Sequence, residues 1–271
     1  NESQALSTYG DINTWDVSSI TSMEALFREK TTFNSDISNW DVSNVTDMHT
    51  MFMEAESFNQ DISNWDVSNL SDARYMFWSA EEFNQDISNW DVSSVTNMAN
   101  MFRQSGFNQD ISSWDVSNVT NMTTMFFNCS FNQDISSWDV SSVGNMSKMF
   151  RQNESFNQDI SSWDVSGASN MFQMFMDAAS FNQDISSWDV SGVTNMEDMF
   201  NNTSNLSDSN KCSIHNSFSS NTNWPYSDWS SLCSVVGCDG VANSGLVNDA
   251  CGVCGGDDSS CAGCDGVANS G

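Results

Sequence analysis

The chain has 271 residues, with 36 Asp plus Glu against 7 Lys plus Arg and a net charge of -29. Such a surface repels nucleic-acid backbones and anionic membranes, which excludes nucleic acid as a partner and favours cations, basic partners and solubility. No apolar run approaches the roughly 18 to 20 residues of a membrane span. The apolar set leans on 16 Met, 18 Phe and 11 Trp, which points to large side chains reused in the same roles.

Eight tryptophans set a period: Trp15, Trp40, Trp65, Trp90, Trp114, Trp138, Trp163 and Trp188 follow one another at 25 residues, with two steps of 24. Both missing residues fall at one place, between Phe102 and Phe107 and between Phe126 and Phe131, which marks a surface loop in each unit. Around Trp65 the residues Trp65 and Val67 alternate with Asn64, Asp66 and Ser68, the period of a short half-buried strand. Beyond Trp40 the spacing changes: Val45, Met48, Met51, Phe52, Ala55 and Phe58 recur by threes and fours, as on one helical face.

Six residues after the tryptophans stand Thr21, Thr46, Ser71, Thr96, Thr120, Gly144, Ser169 and Thr194, all suited to start a helix. Thr21 with Glu24, and Thr194 with Glu197, read as capping boxes. One strand and one helical turn cannot bury their own apolar faces, so the units must stack. The expected fold is α/β: a leucine-rich-repeat-like solenoid of eight units over residues 1–205, with a parallel sheet on one face and short helical turns on the other.

The unit Phe-Asn-Gln-Asp-Ile-Ser-x-Trp-Asp-Val-Ser-x-Val-Thr-x-Met-x-x-Met-Phe resembles the repeat of BspA-like leucine-rich-repeat surface proteins over about residues 8–205. The first unit departs from it, with Thr8-Tyr9-Gly10 in place of Phe-Asn-Gln. The resemblance implies surface display and binding or adhesion, and it carries over no catalytic residues.

The Met columns read as core filler. The column Asn59, Asn84, Asn108, Asn132, Asn157 and Asn182 reads as an internal ladder serving turn backbone groups. One Asp column, from Asp11 to Asp184, opens each strand and suits a turn. A second, Asp16, Asp41, Asp66, Asp91, Asp115, Asp139, Asp164 and Asp189, lies between inward Trp and Val and should face outward. Like charges stacked about 4.8 Å apart cost on the order of 1 kcal/mol per pair. Either neighbouring Ser and Asn groups offset this, or cations do, and an oxygen-rich stripe of this kind suits Ca²⁺. The second column is therefore the candidate calcium stripe; no cofactor is otherwise required. His49 and His215 are isolated, no nucleophile motif or phosphate loop occurs, and the chain is expected not to be an enzyme.

After Phe200 the period fades. Residues 206–236 are aromatic and bounded by Cys212 and Cys233, and they read as a disulfide-stapled end cap. Residues 237–271 begin a Cys/Gly/Asp-rich tandem repeat, since Cys-Asp-Gly-Val-Ala-Asn-Ser-Gly occurs at Cys238 and again at Cys264. The repeat breaks off at Gly271, so the native chain is expected to continue. Cys238, Cys251, Cys254 and Cys261 form an even set for internal disulfides, and Cys264 belongs to the next repeat. The run from Cys251 to Cys261 resembles a short Cys-rich motif of extracellular multidomain proteins. A zinc site is the weaker alternative, because the gap between the Cys-x-x-Cys pairs is short. Cys129, at the position of Ala55, is expected to be a buried free thiol.

Cysteine clustering fits an oxidising compartment, so the expected location is extracellular or at the cell surface. There the triplets at Asn44, Asn69, Asn118, Asn121, Asn145 and Asn201 are glycan acceptor candidates. The expected function is a structural or adhesive surface protein whose partners are other proteins, copies of itself or surface glycans. The alternatives are a calcium-dependent glycan- or ligand-binding module and, third, an ice-binding face, against which the Asp column argues.

Overall fold

The computed structural model describes residues 2–233. The tail from Cys238, with Cys251, Cys254, Cys261 and Cys264, lies outside the described residues.

The repeats do stack, but neither strands nor helices build them. Among the described residues the regular elements are α1 (Glu2–Tyr9), α2 (Asp208–Phe218) and two 3-10 helices, Ile12–Thr14 and Ser227–Cys233. None of these lies within the units after the first. Parallel pairing is reduced to one isolated bridge per step, from Ser22↔Asp47 through to Asn170↔Asn195. The expected α/β leucine-rich-repeat solenoid, with its parallel sheet and helical turns, is thus overturned.

The reason lies in where the backbone donors go. In the second unit Met48, Thr50, Phe52 and Glu54 donate their amides to the carbonyls of Asp72, Arg74, Met76 and Trp78 in the third. Amides between them turn inward: Met51 donates to Met48, Met53 to Thr50 and Ala55 to Phe52. Alternate donors therefore serve the stack and the local turns. The same four interunit bonds recur at every step, ending with Met171, Gln173, Phe175 and Asp177 donating to Asn195, Glu197, Met199 and Asn201. A strand would send its donors only to neighbours, and a helix would keep them all. The spacing by threes and fours that suggested a helix comes from these consecutive turns.

The first and last of these three turns take a left-handed residue at their third position. Each unit supplies two, four residues apart: Thr50 at φ 56° and Glu54 at φ 59° in the second, Lys148 at φ 58° and Gln152 at φ 57° in the sixth. No glycine occupies any of them, although a left-handed non-glycine residue costs roughly 1–2 kcal/mol. Gln152→Gly should therefore raise stability by about 1 kcal/mol, and Gln152→Val should lower it by at least as much. Urea denaturation of both variants checks this; a destabilising glycine would contradict the left-handed backbone.

The strand reading fails for a related reason. Trp65 and Val67 are buried and Asp66 is exposed, as the alternation required. The backbone is nevertheless a pair of turns, with Trp65 donating to the Ile62 carbonyl and Leu70 to that of Val67.

Between the turns the core is a stack of rings. Phe52 lies on Phe58 at 3.9 Å within its unit and on Phe77 at 5.5 Å in the next. Trp65 and Trp90 stack at 6.4 Å. The large tryptophan ring suits a buried column because its indole N–H has a partner. Trp65 donates to the carbonyl of Ile37, Trp138 to Ile111 and Trp188 to Ile160, each in the preceding unit. The 24-residue units close their shorter loop with polar side chains at the position of Ala55. Ser105 donates to the Phe102 carbonyl. Cys129 is a buried free thiol whose sulfur reaches the Phe107 carbonyl at 3.3 Å, and burial pushes its pKa up to about 11.

At the far end, α2 and the 3-10 helix Ser227–Cys233 close over the last unit. Ser207 caps α2 by accepting the Asn210 amide, and Ile214 and Phe218 form its buried face. Trp224, Tyr226 and Trp229 surround Phe200 at 5.6–6.3 Å. A disulfide joins Cys212 and Cys233, Cα atoms 4.9 Å apart, as the spacing had suggested. No helix among the described residues is long and apolar enough to cross a membrane.

Candidate functional site

Outward side chains form columns, and each column first has to be separated from its structural duty. Three times per unit an Asp or Asn side chain, or Ser22 in the first unit, accepts the amide two residues ahead. In the third unit Asp61 takes the amide of Ser63, Asp66 that of Ser68 and Asp72 that of Arg74. Such turns satisfy donors the ladder does not use.

The second Asp column is more heavily engaged. Asp66 Oδ1 accepts both the Ser68 amide at 3.1 Å and its hydroxyl at 2.6 Å. The same pair of bonds recurs at Asp16, Asp41, Asp91, Asp115, Asp139 and Asp164, while Asp189 accepts the Ser191 amide. All eight carboxylates are exposed. The Ser68 hydroxyl and amide hold the Asp66 carboxyl below the usual carboxylate range. The same causes act on Asp16, Asp115, Asp139, Asp164 and Asp189, with Asp115 and Asp164 pushing Asp139 partly back up. Serine thus offsets the repulsion along the column. Among the described residues no three His, Cys, Asp or Glu side chains converge to hold a metal ion.

These shifts fix a sign for acid sensitivity. A carboxylate whose folded pKa is depressed stabilises the fold fully above its unfolded pKa of about 3.9, and that stability is lost as pH falls through the folded value. Thermal midpoints should therefore drop between pH 5 and pH 3, by these carboxylates' own contribution. If repulsion within the acidic columns dominated instead, protonation would relieve it and the midpoint would rise.

The Asn column is a ladder: each Asn Oδ1 accepts the amide of the next, from Asn59 to Asn84 and on to Asn157 and Asn182. The cap continues it, with Ser207 N–H and Asn210 Nδ2 both donating to Asn182 Oδ1. The acceptor candidates for glycans divide. Asn44, Asn69 and Asn118 are exposed, and each donates its Nδ2 to a serine carbonyl of the preceding unit. Asn121 and Asn145 are half-buried and accept the Thr123 and Ser147 amides. Asn201 is exposed, and its carbonyl accepts the Asp177 amide.

Both histidines are in structural contacts. His49 Nδ1 lies 3.6 Å from Glu24, and His215 Nδ1 accepts the Trp224 indole N–H at 3.1 Å.

One surface cluster was not legible in the repeat pattern. Where the second unit has Met53, the next four have Trp78, Arg103, Phe127 and Arg151. The Arg103 guanidinium lies 4.8 Å from the ring centres of both Trp78 and Phe127, and Arg151 lies 5.6 Å from Phe127. Lys148 sits 5.2 Å from the Phe172 ring beside them. The available signal was that so few cations occur at all and that these fall at positions where the units disagree.

The architecture defines a class: a repeat protein of stacked hydrogen-bonded turns, its columns capped by their own Ser and Asn residues. The chain belongs to the family described as Mycoplasma protein of unknown function, DUF285, whose profile matches residues 2–106 and again 100–212. The second match ends at the first cysteine of the cap disulfide. No curated protein and no solved structure matches the chain.

Proposed function

We propose that this chain is a non-catalytic structural or adhesive protein of the cell surface or extracellular space, acting through contacts with other proteins or copies of itself. The observation that supports this reading is the regularity of the outward columns. Asp, Ser and Asn side chains repeat unit after unit on a backbone locked by at least five interunit hydrogen bonds per step. A scaffold of this kind presents many equivalent groups in a fixed array, which suits multivalent contact. The cap disulfide, Cys212–Cys233, suits an oxidising compartment.

Sedimentation velocity over a concentration series, run beside a glycan array with and without EDTA, tests the proposal. Concentration-dependent ordered assembly, or partner binding indifferent to EDTA, is the expected result. Glycan binding abolished by EDTA would favour a calcium-dependent lectin-like module over it.

A further inference from the structure

Seven Lys plus Arg stand against 36 Asp plus Glu in the chain. With about five acids for every base, each cation would be expected to find a carboxylate. Arg28, Arg74 and Lys211 do, pairing with Glu29, Asp72 and Asp208. Of the other four, Lys30, Arg103, Lys148 and Arg151, none has a carboxylate within ion-pair distance among the described residues, and the last three lie together. Their faces lie against aromatic rings instead.

Two features make this cluster more than a cover for apolar surface. Arg103 is held between Trp78 and Phe127, so its plane is fixed before any partner arrives and its donor edge is aimed rather than mobile. Arg103 Nε and Arg151 Nε are also buried without a hydrogen-bond partner, so both guanidinium groups are under-compensated within the chain. Arg151 finds a neutral acceptor at one terminal nitrogen, Gln173 Oε1 at 2.6 Å, and Arg103 a long contact to Asn100 at 3.4 Å. Neither neutralises the charge.

We infer that the strip formed by Trp78, Arg103, Phe127, Lys148 and Arg151 is an interaction surface, and that its occupant is the acidic Asp–Ser face of a second copy of this chain. The inference rests on the structural, self-associating form of the proposed function. Charge complementarity selects the partner: the strip gathers three uncompensated cations, and the Asp columns supply exposed carboxylates. Period selects it further. Arg103 and Arg151 are two units apart on the same ladder that spaces the Asp column, so a neighbouring copy lying alongside brings carboxylates into register with both. The terminal nitrogens of each guanidinium can then meet a carboxylate while its faces stay against the rings and its Nε stays buried. The two mating surfaces differ, so the contact is heterologous and propagates into an open row of molecules instead of closing as a dimer. The remaining like charges are screened beyond roughly 8 Å at physiological salt, while the contact pairs act at shorter range.

The test is sedimentation velocity of the full chain up to about 0.1 mM at roughly 0.15 M and 0.5 M NaCl. Wild-type protein should form oligomers at the lower salt that dissociate at the higher. The double variant R103E/R151E should weaken association at least tenfold. R28E/K30E changes the net charge equally, in the first unit, and should leave association within about twofold. Matching far-UV spectra and thermal midpoints establish that each variant is folded, and R103Q/R151Q serves if the reversed charges are not tolerated. Equal loss in both double variants would assign the effect to net charge and overturn this surface while leaving self-association standing. A wild-type protein that stays monomeric overturns the surface and the self-associating form together. The adhesive form then stands or falls on the partner and glycan-binding assays.

Discussion

Trp138→Ala should lower the stability of the stack by about 3–5 kcal/mol, the largest effect expected of any single core substitution. The indole is 3% exposed and its N–H donates to the Ile111 carbonyl at 3.0 Å. Truncation leaves both a cavity in a continuous ring stack and a buried carbonyl without its donor. Trp138→Phe retains most of the ring volume and should cost less, about 1–3 kcal/mol, chiefly through the lost hydrogen bond. In a repeat stack each unit is stabilised by its neighbours. The alanine variant should therefore separate urea unfolding into two phases at the fifth and sixth units. A single transition shifted by under 1 kcal/mol would contradict the assigned role of the tryptophan column.

The second large effect lies at the cap. The double variant Cys212→Ser/Cys233→Ser should cost about 3 kcal/mol, as expected for opening a loop of this length, whose cysteines are 21 residues apart. The disulfide holds α2 against the 3-10 helix that carries Trp229. Those elements do more than cover Phe200. The Tyr226 hydroxyl accepts the Phe200 amide at 2.7 Å, taking the place of the carbonyl that a further unit would supply. Burial pushes the Tyr226 phenol up to about 12. Asn221 Nδ2 likewise donates to the Val190 and Val193 carbonyls. Loosening the cap should therefore raise amide exchange in the eighth unit first and lower the phenol pKa toward its ordinary value. Equal stability with and without reductant would contradict this.

The period, the burial of each apolar column, the Asn ladder, the buried Cys129 and the Cys212–Cys233 pair could be read from the sequence, because each follows from residue type and spacing. Backbone conformation could not. Residues at spacings of three and four look alike whether a helix or a run of turns carries them. The discriminating residues, Thr50, Glu54, Tyr75 and Gln152, are ordinary L-residues in left-handed geometry, with no glycine to announce it. Nor does alternation around Trp65 separate a pleated strand from two consecutive Asp-capped turns. The calcium stripe drew attention for an electrostatic cost that Ser68 and its equivalents offset through local hydrogen bonds. The strip around Arg103 was hidden for the opposite reason: it breaks the repeat, and a search for columns averages it away.

Alternate backbone donors cross between units. Through-hydrogen-bond scalar couplings, measured by NMR on deuterated protein, test it most directly. The Thr124 amide should couple to the carbonyl of Ser147, in the following unit, at a donor–acceptor distance of 2.9 Å. The amide of Met125 should couple to its own unit, at Met122. A coupling from Thr124 to the carbonyl of Thr120 would instead place a helix there and contradict the crossing of alternate donors between units.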